Sequence, residues 1–380
     1  MIRACILPAI AGVVLGLVSQ SLDRTPSSAS AWGGGIQDTG SKASEIKNTG
    51  LKNSGSEDPP VRATPAEDCA QLVDAAKTVS ACSVVLKAKP SDAKALLNRG
   101  LAHDRLGQAE KAIADYSAAI KHDPKLVEAY VGRAVVHMAS GRLGQALADL
   151  ERAIGLDDEL AIAYANRGLV RRMTGDADGA LLDLNQAIEL DPRLAWAHTT
   201  RGLVRKDRGD LDGAIADHAR AIEIDPDLAG AYSNRGLAYK AAGNLERALA
   251  DLDRAIELSP KSASFYNNRG LTHAARKDFD KALADYKEAI LLDPRLAAAY
   301  VNRADCHIAQ RRLDQALVDI EMAVRLQPAD ARARQTRGLI LAALGRKDEA
   351  AADRTRSPAK DPALASSHAA RDPTGSREPQ

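Results

Sequence analysis

The sequence has few aromatic residues, no block of like charge and no apolar run long enough to span a membrane. Phe, Trp and Tyr make up 3% of its 380 residues, so we do not expect one thick core built from large side chains. The formal net charge is +1 and no five consecutive residues carry the same charge. Because nucleic-acid binding needs a basic stripe, this composition argues against a nucleic-acid partner.

Motifs for catalysis and metal binding are also missing. The sequence has no glycine-rich phosphate loop, no His-Glu-x-x-His pair and no nucleophile elbow. Its four cysteines are Cys5, Cys69, Cys82 and Cys306, and no second ligand pair stands near them to complete a zinc site. We therefore expect no metal, no cofactor and no enzymatic activity.

Residues 1–31 match a secretory signal peptide. Arg3 precedes an apolar run from Ala4 to Val18, about 15 residues long, whereas a bilayer span needs about 20. The small residues Ala29-Ser30-Ala31 offer a cleavage site. An uncleaved membrane anchor and an apolar start without a targeting role are the alternatives. We expect a secreted or periplasmic protein with a flexible linker over residues 32–63, which are rich in Gly, Ser, Lys and Asn.

A unit of 34 residues recurs through most of the chain. In the fifth unit, a helical run over residues 231–242 ends before Gly243-Asn244, and a second run over residues 245–258 is stopped by Pro260. Proline, or aspartate in one unit, opens each unit at Pro90, Pro124, Asp158, Pro192, Pro226, Pro260, Pro294 and Pro328. A fixed period of this length indicates a solenoid, because stacked hairpins bury apolar faces that one hairpin cannot.

The unit resembles the tetratricopeptide repeat family at Gly236, Tyr239, Ala248, Ala255 and Pro260. The Ala248 site is alanine in all eight units: Ala112, Ala146, Ala180, Ala214, Ala248, Ala282, Ala316 and Ala350. The resemblance implies an all-α fold, a right-handed superhelical solenoid of helix–turn–helix repeats with eight units over residues 90–360. The eighth unit is degenerate, because Arg354 and Pro358 replace apolar residues of its second helix. We expect residues 361–380 to form a disordered tail.

Residues 64–89 have the pattern of half a repeat. Thr64-Pro65-Ala66-Glu67 is a capping box, which opens a short helix to about residue 73, and a second helix covers about residues 75–87. The resemblance places Cys69 and Cys82 on facing sites of these two helices. Together with export, it predicts a disulfide that closes a loop of roughly 14 residues. Two buried free thiols are the alternative, and we expect Cys306 to be a small buried residue.

Two charged rows run through the units. An arginine precedes the Gly236 site in every unit, and an aspartate stands 16 residues after each arginine. This recurrence predicts a structural ladder of bidentate Arg–Asp contacts between the first and second helix of each unit. Histidines recur at one site of the first helix, at His103, His137, His273 and His307. Successive copies should lie about 9 Å apart, the spacing of packed helices, which favours core-edge histidines over shared metal ligands.

A third row, one residue before each arginine, is the candidate binding site. It is asparagine in five units, at Asn98, Asn166, Asn234, Asn268 and Asn302, and other residues interrupt it at Gly132, Thr200 and Thr336. The row resembles the asparagine ladder of the O-linked N-acetylglucosamine transferases, whose superhelix binds extended polypeptide through its backbone. The alternative is that asparagine is a tolerated surface residue without a ligand. In relatives, the sites of Lys94, Glu128, Trp196, Thr199, Asn267 and Gln335 also face inward.

These patterns predict a non-enzymatic scaffold that holds an extended segment of a partner protein in a concave groove. The asparagines would bind the segment's backbone, and Trp196 would contribute selectivity for side chains. The alternative is an accessory or regulatory subunit of an envelope assembly, which would bind through the convex face or the ends of the array. The sequence names no partner, oligomeric state or pathway.

Overall fold

The computed structural model describes residues 64–72 and 74–355. The predicted signal peptide (1–31), linker (32–63) and tail (361–380) lie outside the described residues. Within them, every regular element is a helix, in agreement with the predicted all-α fold. The helices are α1 (Pro65–Ala70), α2 (Ala75–Ala88), α3 (Ala93–Arg105), α4 (Ala109–His122), α5 (Val127–Ala139), α6 (Leu143–Leu156), α7 (Ala161–Thr174), α8 (Ala177–Leu190), α9 (Ala195–Asp207), α10 (Leu211–Ile224), α11 (Ala229–Ala241), α12 (Leu245–Leu258), α13 (Ala263–Ala275), α14 (Phe279–Leu292), α15 (Ala297–Ala309), α16 (Leu313–Leu326), α17 (Ala331–Ala343) and α18 (Lys347–Thr355).

The helices form consecutive hairpins, and the predicted helix boundaries agree with them to within a few residues. In the fifth unit, the second helix matches its prediction, Leu245–Leu258, and the first helix begins two residues earlier than predicted. The capping box that opens α1 is present, with the Glu67 amide donating to Thr64 Oγ1 at 3.3 Å. The last helix, α18, has nine residues, whereas the second helices of the complete units have 14.

Small residues allow the two helices of a hairpin to approach closely. The alanines of the Ala248 site are almost fully buried, with exposed fractions from 0% at Ala112 to 2% at Ala350. At Gly270, an added Cβ would lie 2.6 Å from Cε1 of Tyr286 on the second helix, well inside normal contact distance. The first and second helices therefore pack at a separation that only small side chains permit.

The described chain divides into two compact bodies, residues 64–234 and residues 235–355, which we call the N-terminal and the C-terminal body. The N-terminal body has one continuous apolar core that extends from Cys69 to Val204. The C-terminal body buries its apolar residues in smaller clusters, one of which includes Tyr300, Ile320 and Ala333. No helix of the described residues combines the length and the apolarity that a membrane crossing requires.

Cys69 and Cys82 lie side by side at the start of the N-terminal body. Their Cα atoms are 4.7 Å apart, within the range of a disulfide, and Cys69 is the buried residue of α1. The Asn98 side chain also donates to the Cys69 carbonyl at 3.1 Å, which joins α1 to α3. Cys306 is buried, at 2% exposure, as expected for a small core residue.

Candidate interaction surface

The predicted Arg–Asp ladder is confirmed in all eight units. Each arginine donates from Nε and Nη2 to the two oxygens of its aspartate, at 2.5 to 3.0 Å. The pairs are Arg99–Asp115, Arg133–Asp149, Arg167–Asp183, Arg201–Asp217, Arg235–Asp251, Arg269–Asp285, Arg303–Asp319 and Arg337–Asp353. The carboxylates are buried and the guanidinium groups are half-buried. The paired geometry fixes how the two helices of a unit align.

Several arginines also reach the preceding unit, which the sequence reasoning missed. Arg133 Nη1 donates to Ser117 Oγ at 2.9 Å, and Arg269 Nη1 donates to Asp253 Oδ1 at 2.7 Å. Arg99–Ser83 and Arg201–Asn185 are equivalent contacts. The sequence does carry a signal for these contacts, because a polar residue stands 16 positions before each of these four arginines. Because the arginine bonds both to its own second helix and to the previous one, the row also joins adjacent units.

The recurrent histidines lie beside the same aspartates. His103 Nε2 is 3.8 Å from Asp115 Oδ2, and His307 Nε2 is 3.7 Å from Asp319 Oδ2. Burial lowers the pKa of His307, and the nearby Asp319 opposes this shift in part. No group of three or more His, Cys, Asp or Glu residues suited to a metal ion occurs among residues 64–72 and 74–355. The histidines are therefore packed against the ladder at the edge of the core.

The asparagine row lies on one side of the first helices, which we call the asparagine face. In the N-terminal body the row is buried, with Asn98 exposed by 7%, Asn166 by 0% and Asn234 by 1%. The amide group of Asn166 donates to the Ile162 carbonyl at 2.9 Å, within its own helix. In this conformation none of the three side chains can contact a peptide, because neighbouring side chains cover them.

The interruptions of the row have a packing cause. An added Cβ at Gly132 would lie 2.8 Å from Cζ of Tyr116, whose ring is fully buried on the preceding second helix. Thr200 is fully buried as well, and its hydroxyl donates to the Trp196 carbonyl at 2.8 Å. At these two sites the side chain is therefore set by packing within the array.

Trp196 and Thr199, two of the predicted groove residues of the N-terminal body, are covered too. Trp196 is exposed by 3%, and its indole Nε1 has no hydrogen-bond partner among the described residues. Thr199 is exposed by 3% and donates to the Ala195 carbonyl at 3.2 Å. Lys94 is exposed, and Glu128 is half-buried. The structure thus places Trp196 in the core, where a partner cannot reach it without rearrangement.

The asparagine face of the C-terminal body is more open. Asn268 is exposed by 7%, but Asn302 is half-buried, and its amide group donates to Asn267 Oδ1 at 2.9 Å. Gln335, at the site that Asn267 occupies in α13, is exposed. Leu339 on the same helix is 46% exposed. On α17 the exposed Gln335 and Leu339 are therefore four residues apart, on the same side of the helix, while Asn302 on α15 is half-buried.

Charged contacts on this face join successive first helices. In the N-terminal body, Arg172 of α7 contacts Asp207 of α9 at 2.9 Å. In the C-terminal body, Arg332 of α17 contacts Asp305 of α15 at 3.2 Å, with both side chains largely exposed. Such exposed pairs contribute little stability, but they show which side of each first helix faces its neighbour.

Family models match the repeats directly. A model described as "TPR repeat" matches residues 202–243 and 237–276. Two models described as "Tetratricopeptide repeat" match residues 93–126 and 263–296, and residues 131–195 and 303–363. Together these matches extend over more than half of the chain. This chain belongs to the tetratricopeptide repeat family. Its membership agrees with the resemblance that the 34-residue period indicates.

Solved structures of tetratricopeptide repeat proteins share the fold. The Cut9–Hcn1 hetero-tetramer of the APC/C is similar at a TM-score of 0.59 and 13% identity, over 71% of this chain and 53% of that one. A tetratricopeptide repeat protein from Parabacteroides merdae is similar at 0.56 and 19% identity, over 66% of this chain and 99% of that one. YrrB, described as a TPR protein with an unusual peptide-binding site, is 27% identical, with a TM-score of 0.41, over 52% of this chain and 99% of that one. A sequence search of the curated proteins finds no match.

Proposed function

We propose that this tetratricopeptide repeat protein is a non-enzymatic scaffold that holds an extended partner segment on the asparagine face of its C-terminal body. The observation that carries the proposal is the exposure of Gln335 and Leu339 on one side of α17, together with the half-buried Asn302 on α15. Amide side chains both donate and accept, so they can bind a peptide backbone whatever its sequence. Leu339 offers an apolar contact beside them.

The buried asparagines of the N-terminal body have a different role in this proposal. Asn98 bonds to the Cys69 carbonyl, and Asn166 bonds to the Ile162 carbonyl. Both side chains are also buried, whereas Asn302, whose amide group donates to Asn267, is half-buried. The peptide-binding part of the row is reduced to its C-terminal end, and Trp196 contributes to stability rather than to selectivity.

A retention experiment with two matched variants tests this assignment. Immobilised wild-type protein is exposed to an envelope extract, and the retained protein is identified by mass spectrometry. The variant Asn302→Ala/Gln335→Ala should lose that protein, whereas Gln315→Ala, which truncates an exposed amide on the second helix α16, should keep it. All variants must first melt like wild type. Equal retention by both variants would refute the assignment and favour binding through the second helices or the ends of the array.

We further propose that the chain is exported and that Cys69 and Cys82 are oxidised to a disulfide. The apolar run after Arg3 supports export, and the separation of 4.7 Å between the Cα atoms of the two cysteines supports the bond. Alkylation of the unfolded, unreduced protein should label Cys306 and leave Cys69 and Cys82 unlabelled. Sequencing of the mature amino terminus should find Trp32 first. Labelling of Cys69 before reduction would contradict the disulfide.

A further inference from the structure

Two turns of the array depart from a rule that the other six follow. Between the first and second helix of each unit, one residue adopts a left-handed backbone conformation. It is glycine at Gly107, Gly141, Gly175, Gly209, Gly243 and Gly345. In the sixth and seventh units it is Lys277, with φ 66°, and Arg311, with φ 60°. A residue with a Cβ is strained there, so two consecutive units accept this strain and place a cation at the turn.

The surroundings of these two residues are rich in cations. Residues 276–281 and 310–315 carry five cationic side chains, Arg276, Lys277, Lys281, Arg311 and Arg312, and three acidic ones, Asp278, Asp280 and Asp314. By contrast, the same segments of the third and fourth units carry Asp176, Asp178, Asp210 and Asp212, with Arg208 as the single cation. The basic surface therefore belongs to these two turns and is not a general property of the repeat.

Most of this positive charge is not neutralised within the body. Arg276 Nε contacts Asp278 Oδ2 at 3.4 Å, and Asp280 accepts from Gln310 Nε2 at 3.4 Å. Lys277, Lys281, Arg311 and Arg312 are exposed and make no ion pair with a described residue. Four cations are thus available to an anionic partner, while two of the three nearby acids already have polar partners.

A cleft lies at the same place. It is shallow and open to solvent, with a volume of about 370 Å³, and its lining balances two lysines with two aspartates. Its lining residues are Lys277, Asp278, Phe279, Asp280, Lys281 and Gln310. Phe279, which is half-buried, is the apolar residue of this lining. The cleft can therefore receive part of a bound segment, whose Asp and Glu side chains would contact the cations around it.

We propose that the turns of the sixth and seventh units form a docking surface for an acidic segment of a partner protein. The four available cations supply charge complementarity, and the cleft supplies a place for the segment to enter. A protein segment is favoured over nucleic acid, because acids interrupt the cations and no continuous basic stripe forms. This surface lies at the turns and is separate from the asparagine face, so the proposal does not depend on the function proposed above.

The test replaces Lys277 and Arg311 by glycine, the residue that the other six turns have at this position. The probe is a fluorescently labelled peptide rich in Asp and Glu, and its comparator carries Asn and Gln at the same positions. Binding to the full-length protein is followed by anisotropy at low and high salt. Lys277→Gly/Arg311→Gly should weaken binding about five- to ten-fold at low salt. It should leave the melting temperature unchanged or raise it, because glycine relieves the strain at both turns.

A matched double variant controls for net charge. Lys261 and Arg295 occupy equivalent sites of consecutive units in the C-terminal body, at the opposite turns, and both are exposed. Lys261→Ala/Arg295→Ala removes the same charge and should change the affinity less than two-fold. Equal losses in the two double variants would overturn the proposal, and so would failure of the wild type to prefer the acidic peptide. Tighter binding of a labelled DNA oligonucleotide than of the peptide would also overturn it.

Discussion

Replacing Gly132 by alanine should destabilise the protein, although alanine is the better helix former. An ideal Cβ at this position lies 2.8 Å from Cζ and 3.0 Å from Cε1 of Tyr116. Carbon atoms that are not bonded approach to about 3.5–4.0 Å, so the methyl group would overlap the ring. Tyr116 is fully buried and cannot move out into solvent. The ring or the backbone of α5 must therefore shift.

Two opposing contributions set the change in the free energy of unfolding that Gly132→Ala causes. Overpacking a core costs about 1–3 kcal/mol, and the rigid ring at 2.8 Å favours the upper half of that range. Alanine gains about 1 kcal/mol over glycine within a helix. We therefore expect a net loss of about 1–2 kcal/mol. Gly155, in α6, has no atom within 4 Å of its ideal Cβ, so Gly155→Ala should be neutral or stabilising by up to about 1 kcal/mol.

The assay compares urea unfolding of the two variants by far-ultraviolet circular dichroism. Because repeat arrays do not always unfold in one step, hydrogen exchange of α5 should accompany it to locate the change. Tyr116→Leu in the Gly132→Ala background should recover part of the loss, since Leu150 and Leu252 occupy the Tyr116 site in other units. A Gly132→Ala variant as stable as Gly155→Ala would refute the packing explanation for the gap in the asparagine row.

Three further predictions concern the ladder, the half repeat and the histidines. Asp183→Ala should lower the free energy of unfolding, measured in urea, by about 2 kcal/mol, because the partly exposed Arg167 and Arg171 both lose their buried carboxylate. An unchanged midpoint of urea unfolding would contradict a structural role for the Arg–Asp ladder. Cys82→Ala should cost about 3 kcal/mol if the disulfide forms, and hydrogen exchange should then show α1 unprotected. Burial lowers the pKa of His137 below its ordinary value of 6.5, so the unfolded state gains protons first as the pH falls, and stability should decrease below about pH 6.5. His137→Tyr should reduce that decrease, measured as urea midpoints across the same pH range, and an identical pH dependence would contradict the assignment.

The period of the sequence predicts the fold and the ladder for a simple reason. Once the two helices of a unit are aligned by their small residues, a spacing of 16 places each arginine opposite its aspartate. Arg235 and Asp251 therefore pair in the way that Arg99 and Asp115 do. Pro260 likewise sets the end of α12, because proline cannot continue the helix whichever segment packs against it. These features depend on contacts within one unit.

The burial of the asparagine row depends on contacts between units, and the period does not determine them. A 34-residue repeat shows which side of a first helix carries Asn166, but it does not show how closely the next first helix approaches. The residue before each row position gives no consistent signal. It is apolar at Leu97, Val131 and Ala165, where the row is buried or interrupted, but it is also apolar at Val301, beside the half-buried Asn302. At Asn267 it is an amide that is itself buried.

A substitution of Asn166 can distinguish packing from ligand binding, because only one of its two polar side-chain groups is hydrogen-bonded. Its amide group donates to the Ile162 carbonyl, but its Oδ1 is buried without a hydrogen-bond partner among the described residues. A buried acceptor without a partner costs about 1–3 kcal/mol, so a purely packed site should prefer an apolar residue of similar size. Asn166→Leu should therefore raise the free energy of unfolding by about 1 kcal/mol and leave partner retention unchanged. If the variant is more stable but no longer retains the partner, then Asn166 must be uncovered when the partner binds. The peptide-binding part of the asparagine row would then extend into the N-terminal body.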